Sequence, residues 1–274
     1  MIPYKLIVVS LEGALLDDNL NISRVNRNAI LTLKKNDIGI AITSSRPVPT
    51  IYEMLQNFGL ATYIDFIIGM NGGVVYDAHS DTREFYHLLS GKAATKAMHF
   101  FSDLGAYFYV QMGKTRYINK STYRTRKHAQ KFGETEVETS LTEFLKHYDV
   151  NKLMLYCEPN NMPRVLERAK HYYDDECAGS MADLNLFEFM NPRVNKGYAF
   201  DRICKKYKID LKETIAIGNA SSDIRLLKMA GIGVCLSDGT DDVKAVADVV
   251  YPFTGDEDAF AKYINDLIQE NEDD

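Results

Sequence analysis

Three short apolar runs open the chain, "KLIVVS", "IGIAITS" and "FIIGMNGG", and each ends in small polar residues. Their hydrophobicity is continuous rather than alternating. A strand with one wet face must alternate, because successive side chains point to opposite sides of a sheet. Continuous Ile and Val therefore predict strands covered on both faces, as in a parallel sheet. Parallel neighbours need a crossover, and the crossovers are legible. "SRVNRNAILTLKKN" starts at a capping residue, Ser23, and carries Val25, Ile30, Leu31 and Leu33 at helical spacing. "PVPTIYEMLQNFG" gives a second helix with Gly59 as its stop. The alternation returns near the end: "TIAIGNASSD" runs into the helix "DIRLLKMAG", and "GIGVCLSDG" is followed by "DDVKAVA" and the short strand "DVVYP". Residues 255–270 close as a helix. This order predicts an α/β fold with a doubly wound, Rossmann-like parallel-sheet core.

The middle has a different texture. From about Thr82 to Phe187 the chain is tyrosine-rich and alternates, as in "AYFYVQMGK" and "TRYINK", which predicts antiparallel strands with one wet face. "VNKLMLYCE" followed by "NMPRVLERAKHYY" adds a strand and a helix. Residues 82–187 are thus expected to be an inserted α+β domain, with 1–81 and 188–274 forming the core. At 46% hydrophobic and 26% charged the 274 residues can bury a core. A net charge of −6 opposes general affinity for nucleic acid, which needs a basic face. No apolar stretch approaches the roughly 18–20 residues of a membrane span, and no signal peptide is expected, since the first residues lack a basic segment followed by a long apolar one. Cys157, Cys177, Cys204 and Cys235 lack metal-ligand spacing and read as reduced thiols, so a cytoplasmic protein is expected. The six histidines read as surface or packing residues, and the acidic tail "QENEDD" as a frayed, solvated end.

In an open parallel sheet, ligands bind beyond the carboxyl ends of the strands. Those ends carry Ser10 and Glu12, then Thr43 to Ser45, then Lys196 after "NPRVN", then the loop 218–223. If the strands are adjacent, one pocket gathers the hydroxyls of Ser10 and Ser44, the Lys196 ammonium, the carboxylates of Glu12 and Asp223, and the Asn219 amide. With the free amides around Gly13 these make a cradle for an anion such as phosphate. Plainer readings stand beside this one: Ser44 and Asp223 as helix caps, and Glu12 as an acid, a partner of Lys196 or a solvated residue. Tyr107, Tyr109, Tyr117 and Tyr123 are expected to pack against a helix rather than face a ligand.

The order of these motifs resembles the haloacid dehalogenase superfamily, in its Cof-type sugar-phosphatase branch. Hydrophobic-D-x-D-G-T-L-L corresponds to "VVSLEGALL", the Ser/Thr-G-R-P motif to "TSSRP", and the lysine-glycine motif to "NPRVNKG". G-D-x-x-N-D corresponds to "GNASSD", and "NGG" and "TGDEDAFAKYI" also match, so the resemblance spans nearly the whole chain with the insert as a cap domain. It implies a phosphatase in which the first motif's leading aspartate attacks phosphorus and the second acts as acid and base. It also implies Mg²⁺ held by carboxylates of the first and fourth motifs, with Ser44, Lys196 and Gly13 binding phosphate. The residues here depart from that pattern. The nucleophile position is Ser10, the acid/base position Glu12, and the metal positions Asn219 and Asp223; Ala14 and Ser222 replace a Thr and an Asn.

A serine hydroxyl is a weak nucleophile without an adjacent base, and Mg²⁺ wants carboxylates. The aspartyl-phosphate mechanism is therefore expected to be lost and Mg²⁺ weakly bound or absent, with no cofactor required. The expected function is that of a catalytically degraded phosphatase homologue that binds a phosphorylated small molecule or a protein partner. A hydrolase with altered chemistry at Ser10 and Glu12 is the first alternative, and a structural or oligomerisation protein the second. Neither nucleic acid nor membrane is expected as a partner.

Overall fold

A computed structural model of the chain describes residues 2–272. The strands, in chain order, are β1 (Leu6–Ser10), β2 (Gly39–Thr43), β3 (Phe66–Gly69), β4 (Val74–Asp77), β5 (Thr82–Phe85), β6 (Tyr107–Met112) and β7 (Thr115–Ile118). They continue as β8 (Thr135–Glu138), β9 (Leu153–Tyr156), β10 (Ala178–Asp183), β11 (Leu186–Met190), β12 (Thr214–Gly218), β13 (Ile232–Leu236) and β14 (Val249–Tyr251). Two compact units result, one built from residues up to Glu84 and from Asn195 onward, the other from Phe85–Val194. The expected boundary at 188 cut through β11; that strand pairs with β9 and β10 and so stays with the second unit.

The first unit holds an eight-stranded sheet in the order β14-β13-β12-β1-β2-β3-β4-β5. From β14 to β3 every pairing is parallel, and β4 runs antiparallel to β3. The sheet is therefore mixed at one edge, where the sequence predicted parallel strands alone. β1, β2 and β12 are buried along nearly their whole length, as continuous apolar runs require. The chain winds outward from β1 to β2 and β3, then returns to build β12, β13 and β14 on the other side. That reversal puts a switch point between β1 and β12, which is where such sheets hold ligands.

The helices begin and end as their sequences direct. Ser23 caps Arg24–Lys35 by accepting from Asn26 N–H, and Gly59, at φ 70°, follows the helix Val48–Asn57. Asn26 has a second task. Its side chain donates to the Leu15 carbonyl (3.2 Å) and accepts from Ala261 N–H (3.1 Å), tying the turn after β1 to the helix Ala259–Glu272. That helix continues through most of the tail expected to fray; Asp273 and Asp274 lie outside the described residues.

The second unit holds a six-stranded sheet, β10-β11-β9-β6-β7-β8. One face packs Phe108, Val110, Leu153, Leu155, Phe187 and Phe189 into a core. The other carries Tyr109, Ile118, Met154, Tyr156 and Leu186 together with a buried polar network. Arg116 lies 3.9 Å over the Tyr109 ring and donates from Nε to Glu134 (2.7 Å), while Lys152 pairs with Glu188 at 2.7 Å. Tyr117 stacks on Phe144, and Tyr109 is buried, so these aromatics pack; Tyr123 is exposed. All four cysteines are free and buried. Among the described residues no helix is long and apolar enough to cross a membrane.

Two measurements follow from this architecture. Asn26→Ala leaves two backbone groups beside the turn without their side-chain partner, and urea unfolding is expected to reveal a loss of about 1–3 kcal/mol. In the second unit, His128 Nδ1 accepts from Arg116 Nη1 at 2.9 Å. Burial, then the charges of Arg116 and Lys131, push its pKa down to about 4. The unfolded chain takes up this proton near pH 6.5, the folded chain only near 4, so stability is fully present above about 6.5 and falls as pH drops toward 4. In His128→Gln, the thermal midpoint is expected to lose part of its slope across that window.

Candidate functional site

β1 delivers Ser10, its last residue, buried at the switch point. The chain then leaves the sheet through a turn in which Glu12 is extended (φ −78°, ψ 136°) and Gly13 is left-handed (φ 74°, ψ −8°). Glycine adopts that conformation without steric cost. The position is also crowded, since a Cβ on Gly13 would lie 2.3 Å from Asn219 Nδ2. Asn219 follows the end of β12, and its amide donates to the Gly13 carbonyl (3.2 Å) and to Asp238 Oδ2 (3.3 Å). The two adjacent strand ends are thus laced together.

Lys196 opens the helix Lys196–Tyr207, which Asn195 caps by accepting from Tyr198 N–H at 2.8 Å. The "NGG" turn after β3 positions this start. Gly72 sits at φ 99°, and a Cβ there would lie 2.3 Å from the Asn195 carbonyl oxygen. Lys196 is 3% exposed and Asp223 is 0% exposed. The ammonium donates to Asp223 Oδ1 at 2.6 Å and to Ser10 Oγ at 3.2 Å. Asp223 Oδ2 accepts from the backbone N–H groups of Asn219 (3.2 Å) and Ala220 (3.1 Å). A cation in the first turn of a helix faces the positive end of its dipole, and desolvating it adds a further cost. The lysine is tenable there because a fully hydrogen-bonded carboxylate lies against it.

Ser44 follows β2 and belongs to a second cluster. Its hydroxyl donates to Glu12 (2.8 Å to Oε2, 3.1 Å to Oε1) and accepts from Arg46 N–H at 3.1 Å. Arg46 Nε donates to Glu12 Oε1 at 2.5 Å. Glu12 therefore pairs with Ser44 and Arg46, not with Lys196. Ser44 caps no helix, since the helix Val48–Asn57 has Pro47 at its cap. Asp223 reaches both the loop amides and the lysine.

The structure thus brings Ser10, Lys196 and Asp223 into one network, Glu12 and Ser44 into another, and sets Asn219 against Gly13. Sequence reasoning named neither Arg46 nor Asp238. Arg46 was visible in the quoted "TSSRP", where an arginine two residues beyond the hydroxyl could have been matched to the unusual Glu12. Asp238 sits in the turn after β13, itself a strand carboxyl end. It also extends an acidic rim: Asp256 first, then Asp17 and Asp238, raise the pKa of the Asp18 carboxyl. Among the described residues no group of three or more His, Cys, Asp or Glu side chains is arranged to hold a metal ion.

Breaking a buried ion pair by removing one partner costs about 3–5 kcal/mol, because the other charge is stranded. Lys196→Met is expected to lose that much in urea unfolding. The double change Lys196→Met with Asp223→Leu is expected to recover part of it. A double-variant loss equal to the sum of the losses of Lys196→Met and Asp223→Leu alone would mean that the pair carries no coupling.

The profile of the haloacid dehalogenase-like hydrolase family matches residues 7–264. Phosphatase YwpJ of Bacillus subtilis is 25% identical, over 96% of this chain and 100% of its own. The 5-amino-6-(5-phospho-D-ribitylamino)uracil phosphatase YcsE of the same organism is 26% identical, over 96% and 95% respectively. A crystal structure of a haloacid dehalogenase-like hydrolase from Bacteroides thetaiotaomicron superposes with a TM-score of 0.85 at 21% identity, covering 96% of this chain and 99% of that one. A family match over nearly the whole length, a shared fold and the motif order converge: the chain belongs to the haloacid dehalogenase-like hydrolase family, in its Cof-type, phosphatase-like branch.

Proposed function

We propose that this chain is a phosphatase homologue that has lost phosphoryl-transfer chemistry and acts by binding a phosphorylated small molecule at the carboxyl ends of β1, β2 and β12. One observation carries the reading. The atom at the nucleophile position, Ser10 Oγ, has the Lys196 ammonium as its hydrogen-bond partner, 3.2 Å away, and no base hydrogen-bonded to it among the described residues. Glu12, the one base the sequence offered, is bound to Ser44 and Arg46 instead. A serine hydroxyl without an adjacent base is a weak nucleophile, and an ammonium that donates to its oxygen has no lone pair with which to take its proton. That geometry favours this reading over altered chemistry through Ser10 and Glu12.

The donor set also argues against the family's metal. Mg²⁺ is a hard cation that needs carboxylate oxygen to offset its dehydration. Asp223 has both oxygens engaged, one by Lys196 and one by two amides. Asn219 offers a neutral amide oxygen where the family has a carboxylate, and its N–H groups are held by Gly13 and Asp238. These residues do not fit a divalent ion. What the strand ends hold for a phosphate is the Ser10 and Ser44 hydroxyls, the Lys196 ammonium and the Arg46 guanidinium. Relatives named as phosphatases, one of them for a phosphoribitylamino compound, point to sugar- or polyol-type monophosphates as the ligand class.

The test compares the natural chain with the double variant Ser10→Asp plus Asn219→Asp. Phosphate release is measured with Mg²⁺ on a panel of sugar phosphates and 5-amino-6-(5-phospho-D-ribitylamino)uracil. Turnover by the double variant alone is expected, and its preferred substrate identifies the ligand class. Turnover by the natural chain that Ser10→Ala abolishes would overturn the reading.

A further inference from the structure

We propose that Glu12 is an internal anion that fills the pocket's oxyanion donors, so that a ligand phosphate enters only by displacing it. This rests on the phosphate-binding reading above and adds what controls the site. The Ser44 hydroxyl and Arg46 Nε both converge on one carboxylate, at 2.8 Å and 2.5 Å. A hydroxyl and a guanidinium aimed together at an oxyanion are the donors a phosphate uses, and a carboxylate satisfies the same geometry. The site therefore carries its own substitute for the ligand.

Charge makes the substitution consequential. Arg46 and Lys196 supply two positive charges, and Glu12 and Asp223 two negative ones, so the cluster is formally neutral. The acidic rim at Asp17, Asp18, Asp238 and Asp256 adds further negative charge nearby. A phosphate dianion meets no net attraction while Glu12 is in place. With Glu12 displaced into water, Arg46, Lys196 and Asp223 together carry one net positive charge.

Glu12 is also placed to leave. Its side chain is 37% exposed, whereas that of Arg46 is 15% exposed, so the carboxylate lies on the solvent side of its donors. Ser44 beneath it is fully buried. The Glu12 backbone is extended rather than helical and adjoins left-handed Gly13, so a rotation of the side chain breaks no helix and unpacks no core. Leaving costs hydrogen bonds that an arriving phosphate replaces.

The experiment is calorimetric titration of inorganic phosphate, without added divalent cation, into the natural chain, Glu12→Gln and Glu12→Ala. Both variants are expected to bind phosphate at least about tenfold more tightly, equivalent to about 1.4 kcal/mol. Adding Arg46→Gln to Glu12→Ala is expected to abolish the gain. Thermal unfolding of each variant confirms that a folded protein is being titrated, and the two Glu12 substitutions back each other up. Equal, measurable affinity in the natural chain and both Glu12 variants overturns the internal-anion proposal and leaves the phosphate-binding reading standing. A gain that persists without Arg46 also overturns it. No binding by any of the proteins overturns both.

Discussion

The buried pair between Lys196 and Asp223 is the interaction on which the pocket's arrangement depends. It joins the start of the helix Lys196–Tyr207 to the loop after β12, and through Ser10 to the end of β1. Each of these groups is expensive alone: the lysine lies at the wrong end of a helix dipole, and the aspartate is out of water. Together, with two amides on the second carboxylate oxygen, each compensates the other. A pair of this kind contributes little net stability against an apolar substitute. Its presence at the switch point of the sheet fits a site retained for binding better than one retained for stability.

The same residues explain why a fold that serves phosphoryl transfer in relatives does not imply that activity here. Chemistry of that kind needs a reactive oxygen, a base in reach and an electropositive centre that the substrate completes. Here the oxygen at the attacking position is held by an ammonium, and the nearest glutamate is held by Ser44 and Arg46. Both positive groups already have negative partners within the chain. In this arrangement each positive group of the site is balanced before any ligand arrives.

Much of the fold could be read from the chain itself. The continuous Ile/Val runs of β1, β2 and β3, the Ser23 cap and the Gly59 stop specified the core's order, because burial on both faces and helix ends leave direct marks on residue type. The antiparallel edge at β4 and the assignment of β11 to the second unit were not legible. Both depend on which strand a segment pairs with, and pairing leaves no mark in the segment's own composition. The tail's solvated character was legible, since Gln269 and Glu270 are exposed, but its polarity hid that "QENE" prolongs a helix whose earlier turns pack on the core.

At the site, the sequence by itself determined which groups are present and where each stands relative to a strand end. Ser10, Glu12, Gly13, Ser44, Lys196, Asn219 and Asp223 were all identifiable, because strand ends in an α/β sheet converge and the motif order is local. Only the tertiary structure decided the pairings. Glu12 lies 32 and 34 residues from Ser44 and Arg46, and Lys196 lies 186 residues from Ser10, so nothing in any one segment selects a partner. The folded geometry gave Lys196 to Asp223 and Glu12 to Arg46, since hydrogen-bond reach is a few ångströms and charge is satisfied by whichever opposite group the backbone brings within it.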